Sequence, residues 1–435
     1  MSREKVALVS LLLTSLLLAA GMSQEDLKLL TQPVQLGPNC DSIMKVIEWA
    51  GGVNSIDLPK EIPIGAPAPL SGALGSFAVS NYNAIKLASE QINACMEKLG
   101  LPWRFKFIPE DTKTDPQTAV EVVRKLALQG VKIIAGRITS RPMGSLMYPV
   151  NEELHVVVMS GTSTAPNLRI ENYKRYISKT GKSYIFWAIT NDFLQGNALA
   201  DLAHMLGYKK VTIMYRQDDY GVGLATAFKY YFSKYGGTVV LVPYDPNART
   251  FDAELRVAAS SKPDAILFIS FDELKVILRQ AVTLGLQKYP WLFSETRRGV
   301  ILNDPYLAKI VALKQGVGTG PGGSEEFAKL YENRFGIPPM LYADYIYDAL
   351  WLSALSVLKA GKYDADAIRQ ALLDVGAYFK GYTGPKKFNP LTQEPMKTSY
   401  HYWTIKVINN KPTVVKIGFW DPDTGIKVYE KISPR

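Results

Sequence analysis

The stretch that decides the fold is VKIIAGRITS, residues 131–140, in which a short apolar, β-branched run leads into a glycine and two hydroxyl side chains. Residues 156–166, VVVMSGTSTAP, repeat the same plan. Short apolar runs of this kind are typical of parallel strands that helices cover on both faces. An amphipathic segment at residues 118–128 precedes the first run, and Asp115-Pro116 before it is an N-cap followed by proline. The sequence therefore predicts an α/β fold.

Strands and helices alternate on both sides of this stretch, and the alternation starts again at Asp192. Residues 400–408 and 413–419 have the alternating pattern of a hairpin, with a turn at Asn409-Asn410. The pattern as a whole predicts two doubly wound, Rossmann-like α/β lobes that are joined by a hinge of several strands. Further strands are predicted at residues 62–67, 105–108, 211–215, 238–242 and 265–270.

The point at which the pattern restarts sets the expected domain organisation. We expect lobe one to comprise residues 60–187 plus 318–380, and lobe two residues 188–317 plus 381–430. Residues 318–323, GTGPGG, match the G-x-G-x-x-G pattern of dinucleotide sites, but a proline interrupts the loop and the required strand context is missing. We interpret them as a flexible linker that returns the chain to lobe one, with Ser324 as the N-cap of the next helix.

The first 22 residues predict export from the cytoplasm. Arg3 and Lys5 precede an apolar run at residues 6–20, which ends in small residues around Gly21. This order is typical of a secretory signal. Cleavage of the segment and its retention as an N-terminal anchor are both open. In either case residues 23–59 form an N-terminal extension, and the remaining chain is expected in the periplasm or at the cell surface.

Charge, histidine and cysteine content limit the partners. The formal net charge is +10, but the basic residues are spread along the chain, so no nucleic-acid partner is expected. Three histidines are present and none is near a cysteine, so we expect no metal site and no cofactor. In an oxidising compartment, Cys40 and Cys95 are expected to form a disulfide that ties the extension to an early helix.

Three loops that follow predicted strands are candidates for a binding site, at residues 71–77, 136–140 and 160–166. Their hydroxyl groups and the free backbone N–H groups at helix N-termini suit a small anion such as a carboxylate. Capping and turn chemistry explains one such loop, whereas three in the same half of the chain favour a site. The chain has no G-x-S-x-G, Walker or H-E-x-x-H motif, so we expect no catalytic residues.

Several short motifs occur in a specific order along the chain. They are PLSG at residues 69–72, DP at 115–116, TSTAPNL at 162–168, DDYGVG at 218–223 and YDA at 347–349. With these motifs the chain resembles the type I periplasmic solute-binding proteins, in particular the branched-chain amino-acid-binding group that feeds ABC importers. The resemblance covers about residues 62–420 and implies a two-lobed binding protein rather than an enzyme.

The resemblance implies how lobe one would bind an amino acid. The ligand carboxylate would be held by the side chain of Ser140, by the backbone of Thr162 and by Thr164. Phe77 occupies the position of an aromatic residue in the cleft. These residues lie on the three loops that the strand pattern had already singled out.

The resemblance also implies a role for three residues of lobe two. Tyr220 would close over the ligand, Phe271 would line the pocket of its side chain, and Glu295 would accept its α-ammonium group. An alternative for Glu295 is a surface salt bridge with the arginines that follow it, Arg297-Arg298. Those arginines and Arg141, directly after Ser140, add positive charge that a site for an aliphatic amino acid does not need.

The expected function is therefore that of an extracytoplasmic, monomeric solute-binding component of an ABC importer. It would capture a small amino acid, branched-chain or similar, and present it to permease and ATPase subunits. Two alternatives stay open: a binding protein for another small carboxylate or amide, such as an aromatic acid or a urea-like solute, and a ligand-sensing module. An exported enzyme is the third hypothesis.

Overall fold

The computed structural model describes residues 35–295 and 298–429, without the side chains of residues 298 and 299. The predicted signal segment lies outside the described residues. None of the described helices has the length and apolarity needed to cross a membrane. Two large sheets, each with its own helices, organise the described part of the chain.

The first sheet contains the stretch at residues 131–140. Its strands are β1 (Glu61–Ala68), β2 (Arg104–Asp111), β3 (Ile133–Gly136), β4 (Val157–Ser160) and β5 (Ile185–Trp187). All of them are parallel, in the order β2-β1-β3-β4-β5, so β3 is the central strand. Every residue of β3 and β4 is buried, as predicted for strands covered on both faces.

Helices connect these strands in the order that the sequence predicts. They are α1 (Cys40–Trp49), α2 (Ala78–Lys98), α3 (Pro116–Leu128), α4 (Ser140–Tyr148) and α5 (Pro166–Asn172). Helix α1 begins at Cys40, and Asn39 is its N-cap because its side chain accepts from the N–H of Ser42. Shorter helical segments cover Val53–Ser55, Gly72–Phe77, Pro149–Leu154, Tyr173–Ile177, Ser178–Thr180 and Leu286–Lys288.

The second sheet is mixed. The later strands are β6 (Lys210–Arg216), β7 (Thr238–Tyr244), β8 (Ala265–Ile269), β9 (Trp291–Phe293), β10 (Val317–Pro321), the separate short pair β11 (Lys380–Gly381) and β12 (Gly384–Pro385), β13 (Tyr400–Ile408), β14 (Lys411–Asp421) and β15 (Gly425–Val428). The sheet order is β15-β14-β13-β10-β9-β8-β6-β7, parallel from β7 to β10 and antiparallel beyond. The predicted hairpin is present: Asn409 and Asn410 have φ of 50° and 61°, the left-handed backbone of a two-residue turn.

The later helices divide between the two cores. They are α6 (Asp192–Met205), α7 (Asp219–Lys234), α8 (Asp252–Ser260), α9 (Leu274–Thr283), α10 (Arg298–Leu302), α11 (Pro305–Leu313), α12 (Glu325–Phe335), α13 (Ala343–Ala360) and α14 (Ala365–Gly376). On β6, Ile213 and the adjacent Met214 lie in separate apolar clusters, so the second sheet is covered on both faces. Residues of α12 to α14, including Phe327 and Leu350, pack instead in the core of the first sheet. The chain therefore forms two doubly wound lobes and crosses between them.

The prediction of a flexible linker at residues 318–323 is wrong. Residues Val317–Pro321 form β10, which pairs with β9 and β13 in the second sheet. Its glycines are needed for close packing, because a Cβ on Gly318 would lie 2.3 Å from the indole of Trp403. Ser324 does cap the next helix, since its side chain accepts from the N–H of Phe327. The expected lobe boundary at residue 318 thus falls inside a strand.

The N-terminal extension packs on the first lobe. Leu36, Ile43 and Val46 are buried in its core. The sulfur atoms of Cys40 and Cys95 are bonded, with their Cα atoms 5.1 Å apart, which joins α1 to α2.

Loss of this disulfide should destabilise the protein. The crosslink spans 55 residues, so replacing both cysteines by serine should lower the free energy of unfolding by about 3 to 5 kcal/mol through the entropy of the unfolded chain. Chemical denaturation of wild type and the double variant measures this difference. Two alkylatable thiols in secreted wild-type protein, or equal stabilities, would contradict the prediction.

Candidate functional site

The loops after β3 and β4 are joined by one buried hydroxyl. The Oγ of Ser160, the last residue of β4, donates to the carbonyl of Ile138 at 2.6 Å. It accepts from the backbone N–H groups of Thr162 at 3.1 Å and Ser163 at 2.8 Å. The backbone N–H of Thr162, predicted to bind a carboxylate, is therefore already occupied within the protein. The residue itself is buried at the carboxyl edge of the sheet.

Ser140 lies where these two loops meet. It is the first residue of α4, and its Oγ accepts from the N–H groups of Thr164 at 3.1 Å and Ala165 at 3.2 Å. Because the hydroxyl accepts these bonds, its own proton is free to be donated. The N-cap of α4, Thr139, makes no side-chain cap, so the positive end of this nine-residue helix is open to an anion.

Glu295 directly follows β9 and is only 2% exposed. One of its carboxylate oxygens accepts from Tyr220 Oη and from Gln195 Nε2, both at 2.8 Å. The other accepts from Tyr342 Oη at 3.2 Å. These three donors are neutral. Glu295 is buried rather than on the surface. The side chains of Arg297 and Arg298 lie outside the described residues, so a salt bridge with them stays a prediction.

Asp192 is a second buried carboxylate that the sequence analysis missed as a site residue. It is the first residue of α6 and is 0% exposed. Neither of its carboxylate oxygens makes a hydrogen bond of normal geometry to a described residue. Burial, and then the neighbouring Glu295, raise the pKa of Asp192 well above its usual value, while the hydroxyl of Thr164 acts in the opposite direction. Its position after β5 was the available signal, since binding residues collect at the carboxyl ends of such strands.

Three phenols surround the two carboxylates. Burial raises the pKa of Tyr220 and Tyr342 well above the usual range, and Glu295 is the next cause for each. Burial also raises the pKa of Tyr400, with Asp192 as the next cause. The phenols therefore stay protonated, and Tyr220 and Tyr342 donate to Glu295 as neutral groups. Together with Asp192 and Glu295 they form a buried cluster of carboxyl and phenol groups.

The two predicted aromatic residues each contact a buried arginine. The guanidinium of Arg137 lies 4.2 Å from the ring centroid of Phe77. Phe271 stacks on Tyr220 with centroids 5.3 Å apart, and its ring lies 3.7 Å from the guanidinium of Arg216. Such cation–π contacts hold the rings in place. Neither arginine could be assigned a role from its sequence position.

The predicted residues divide between a cavity and the region enclosed beside it. Ser140, Tyr220 and Phe271 line a cavity of about 300 Å³ that both lobes border. The remaining predicted side chains do not line it and are buried; they are Phe77, Thr162, Thr164 and Glu295. The electrostatic coupling of Asp192 to Glu295 and the effect of Thr164 on Asp192 place these three groups together. The structure thus brings side chains from both lobes to one place.

The sequence of this chain is similar to those of known proteins. The model of the family described as periplasmic binding protein matches residues 61–406. An uncharacterized protein of Methanocaldococcus jannaschii is 27% identical over 84% of this chain and 90% of its own length. The leucine-, isoleucine-, valine-, threonine-, and alanine-binding protein of Pseudomonas aeruginosa is 23% identical over 72% of this chain and 82% of its own length.

Solved structures show the same fold. The leucine-binding protein LivK of Thermotoga maritima superposes with a TM-score of 0.69 at 24% identity, covering 83% of this chain and 99% of that one. A solute-binding protein of an ABC transporter from Rhodopseudomonas palustris, in complex with 3,4-dihydroxybenzoic acid, gives 0.68 at 19% identity, covering 85% and 99%. The resemblance found in the sequence is therefore confirmed. The chain belongs to the periplasmic binding protein family, with the fold of its type I members and Leu/Ile/Val-binding proteins among its relatives.

Proposed function

We propose that this protein is the extracytoplasmic solute-binding component of an ABC importer and captures a small amino acid between its lobes. The observation that carries the proposal is the pair of buried carboxylates, Asp192 and Glu295, whose described hydrogen-bond donors are all neutral. Buried carboxylates are costly without a cation. An ammonium group of the ligand would supply that cation and would favour the ionised form of Asp192.

The ligand carboxylate would bind at the opposite side of the same space. Ser140 offers a hydroxyl proton and the uncapped N-terminus of α4, and the side chain of Thr164 lies next to Asp192. An amino acid carries both charges one carbon apart, so it matches an anion site beside two carboxylates. The proposed function requires no covalent step, because the protein only needs to bind and release its ligand.

Closure of the lobes would complete the site. We propose that lobe one comprises residues 35–187 and 324–398, and lobe two residues 188–321 and 399–429, because the strands of the first sheet lie within the former ranges and those of the second sheet within the latter. Contacts between α5 and α7 join the lobes: Asn167 Nδ2 donates to Asp219 Oδ1 at 2.9 Å. A Cβ on Gly223 of α7 would lie 2.7 Å from Cδ of Pro166. Periplasmic binding proteins close about a hinge in this way.

Replacing Gly223 by leucine should keep the lobes apart. The added side chain would meet Pro166 in the closed form, so we expect at least about tenfold weaker ligand binding with the fold intact. Calorimetry measures the affinity, and small-angle scattering measures the ligand-induced decrease in radius of gyration. Lys229→Leu, an exposed change on the same helix, is the control. Normal affinity and normal compaction in Gly223→Leu would rule out this contact as part of closure.

A thermal-shift panel tests the proposed ligand class. Amino acids, their parent keto acids, amides and aromatic acids are compared at equal concentration. A ligand at about a hundred times its dissociation constant should stabilise by about 2.7 kcal/mol. We expect stabilisation by one or more amino acids and none by the parent keto acid, which lacks the ammonium group. Equal stabilisation by the keto acid would refute amine recognition.

A second candidate ligand is a small aromatic acid. The Rhodopseudomonas palustris protein in complex with 3,4-dihydroxybenzoic acid motivates it. An aromatic acid would use the site at Ser140 but would bring no cation to Asp192 and Glu295. The same panel separates the two candidates, because only the first requires an amine.

A further inference from the structure

The cavity next to the carboxylate site is unusually polar for an aliphatic ligand. Its volume is about 300 Å³, and its walls come from loops of both lobes. Lys113 and Arg141 line it from the first lobe and Arg216 from the second. Ser140 and Tyr220 belong to the same lining, so the cavity is continuous with the place proposed for the amino-acid backbone.

The charges in this lining do not cancel. Arg216 pairs with Asp218 at 2.6 Å and with Glu273 behind the cavity at 2.9 Å. The carboxylate of Asp115 caps α3 by accepting from the N–H of Thr118 at 2.7 Å. Among the described residues, neither Lys113 nor Arg141 has an acidic partner within 4 Å.

Among the residues that line the cavity, the charges of Arg216 and Asp218 cancel each other. The remaining charged residues are two cations, Lys113 and Arg141, and one acid, Asp115. Asp219, which also interacts with Arg141, lies outside this cavity and accepts from Asn167. The lining residues by themselves therefore carry one positive charge in excess, and the acids Glu273 and Asp219 interact with Arg216 and Arg141 from outside the cavity. The cavity surface itself would match one negative charge on a ligand.

The backbone of the loop that carries Lys113 is held in an uncommon conformation. Lys113 and Thr114 have φ of 53° and 59°, two successive left-handed residues without glycine. Asp111 holds the loop by accepting from the N–H of Lys113 at 2.8 Å. A Cβ on Gly72 would lie 1.9 Å from the carbonyl oxygen of Lys113, so the opposite loop fits against it closely. Strained backbone of this kind persists where it positions groups for function.

We propose that Lys113 and Arg141 form a distal subsite for a second carboxylate, so that the preferred ligand is an acidic amino acid. This inference rests on the proposed function, because it assumes that the amino-acid backbone binds between Ser140 and Glu295. Lys113 and Arg141 are both exposed, and an aliphatic side chain in this cavity would cover part of each cation without providing a partner, which selects against it. An acidic side chain would instead make charge-assisted hydrogen bonds.

The test is calorimetric titration with L-glutamate, L-aspartate, their amides, and leucine. Wild type should bind one of the acids at least about tenfold more tightly than its amide and than leucine. Arg141→Gln should remove this preference, weakening binding of the acid at least about tenfold while binding of the amide changes less than about twofold. Arg256→Gln, an exposed change on α8, is the matched control and should change neither affinity.

The outcomes separate this inference from the function on which it rests. Tight binding of leucine or of an amide with no preference for the acid would overturn the distal subsite and leave amino-acid capture standing. Equal loss of acid and amide binding in Arg141→Gln would also overturn it. Absence of binding for every amino acid would overturn the proposed function itself.

Discussion

Glu295→Gln is expected to reduce amino-acid affinity by about two to more than three orders of magnitude. Glu295 is buried, and its described donors Tyr220, Gln195 and Tyr342 are all neutral. A ligand ammonium would therefore take its counter-charge mainly from Glu295, because burial favours the neutral form of Asp192. Breaking such a buried pair costs about 3 to 5 kcal/mol, and each 1.4 kcal/mol is about a tenfold change in affinity.

The same substitution should leave the ligand-free protein as stable as wild type or slightly more stable. A neutral amide next to Asp192 removes the repulsion between two buried carboxylates. Asp192→Asn should behave in the same way, with a smaller loss of binding because burial raises the pKa of Asp192 and favours its neutral form. Titration calorimetry and thermal unfolding of the ligand-free forms measure both effects, and Glu332→Gln, an exposed change on α12, is the control. Wild-type affinity in Glu295→Gln would mean that the amine does not bind there.

Arg169→Met is expected to lower the free energy of unfolding by about 3 to 5 kcal/mol. The guanidinium of Arg169 is 1% exposed and pairs with buried Glu394 at 2.9 Å. It also donates to the carbonyls of Ser163 at 2.7 Å and Ala165 at 3.1 Å. Methionine fills part of the volume but leaves the carboxylate of Glu394 buried without its cation, which is the costly case. Denaturant unfolding of the ligand-free protein measures the loss.

The double variant Arg169→Met/Glu394→Leu identifies the cause. If the unpaired carboxylate dominates, the second change should recover at least about half of the lost stability. Because Arg169 also supports the loop that carries Thr164, ligand affinity should stay low in the double variant. If the loss of stability in the double variant equals the sum of the losses in Arg169→Met and Glu394→Leu, the two residues are not coupled, contrary to their geometry.

The fold could be predicted because its evidence is local. The apolar runs at β3 and β4, the caps at Asp115 and Ser324, and the turn at Asn409-Asn410 each follow from neighbouring residues. The strand β10 was missed for the opposite reason. Its glycines indicate a loop when taken alone, and they suit a strand only because rings of β13 pack over them, such as that of Trp403.

The site was predicted less completely, because burial and pairing across the chain leave no local pattern. Asp192 is an acidic residue in the first turn of a helix, where acidic residues are common. Only the topology of the chain places it next to Glu295. Arg169 and Glu394 are 225 residues apart and neither lies in a recognisable motif. The sequence gives no indication that the backbone N–H of Thr162 donates to Ser160 Oγ, because that hydrogen bond depends on the turn after β4.

The most direct test of the central claim is a crystal structure with the amino acid that binds most tightly in the panel. We expect the ligand ammonium within hydrogen-bond distance of the carboxylates of both Glu295 and Asp192. We expect its carboxylate at the N-terminus of α4, within hydrogen-bond distance of Ser140 Oγ. A ligand whose amine contacts neither Asp192 nor Glu295, or a ligand bound outside the space between the lobes, would contradict this account.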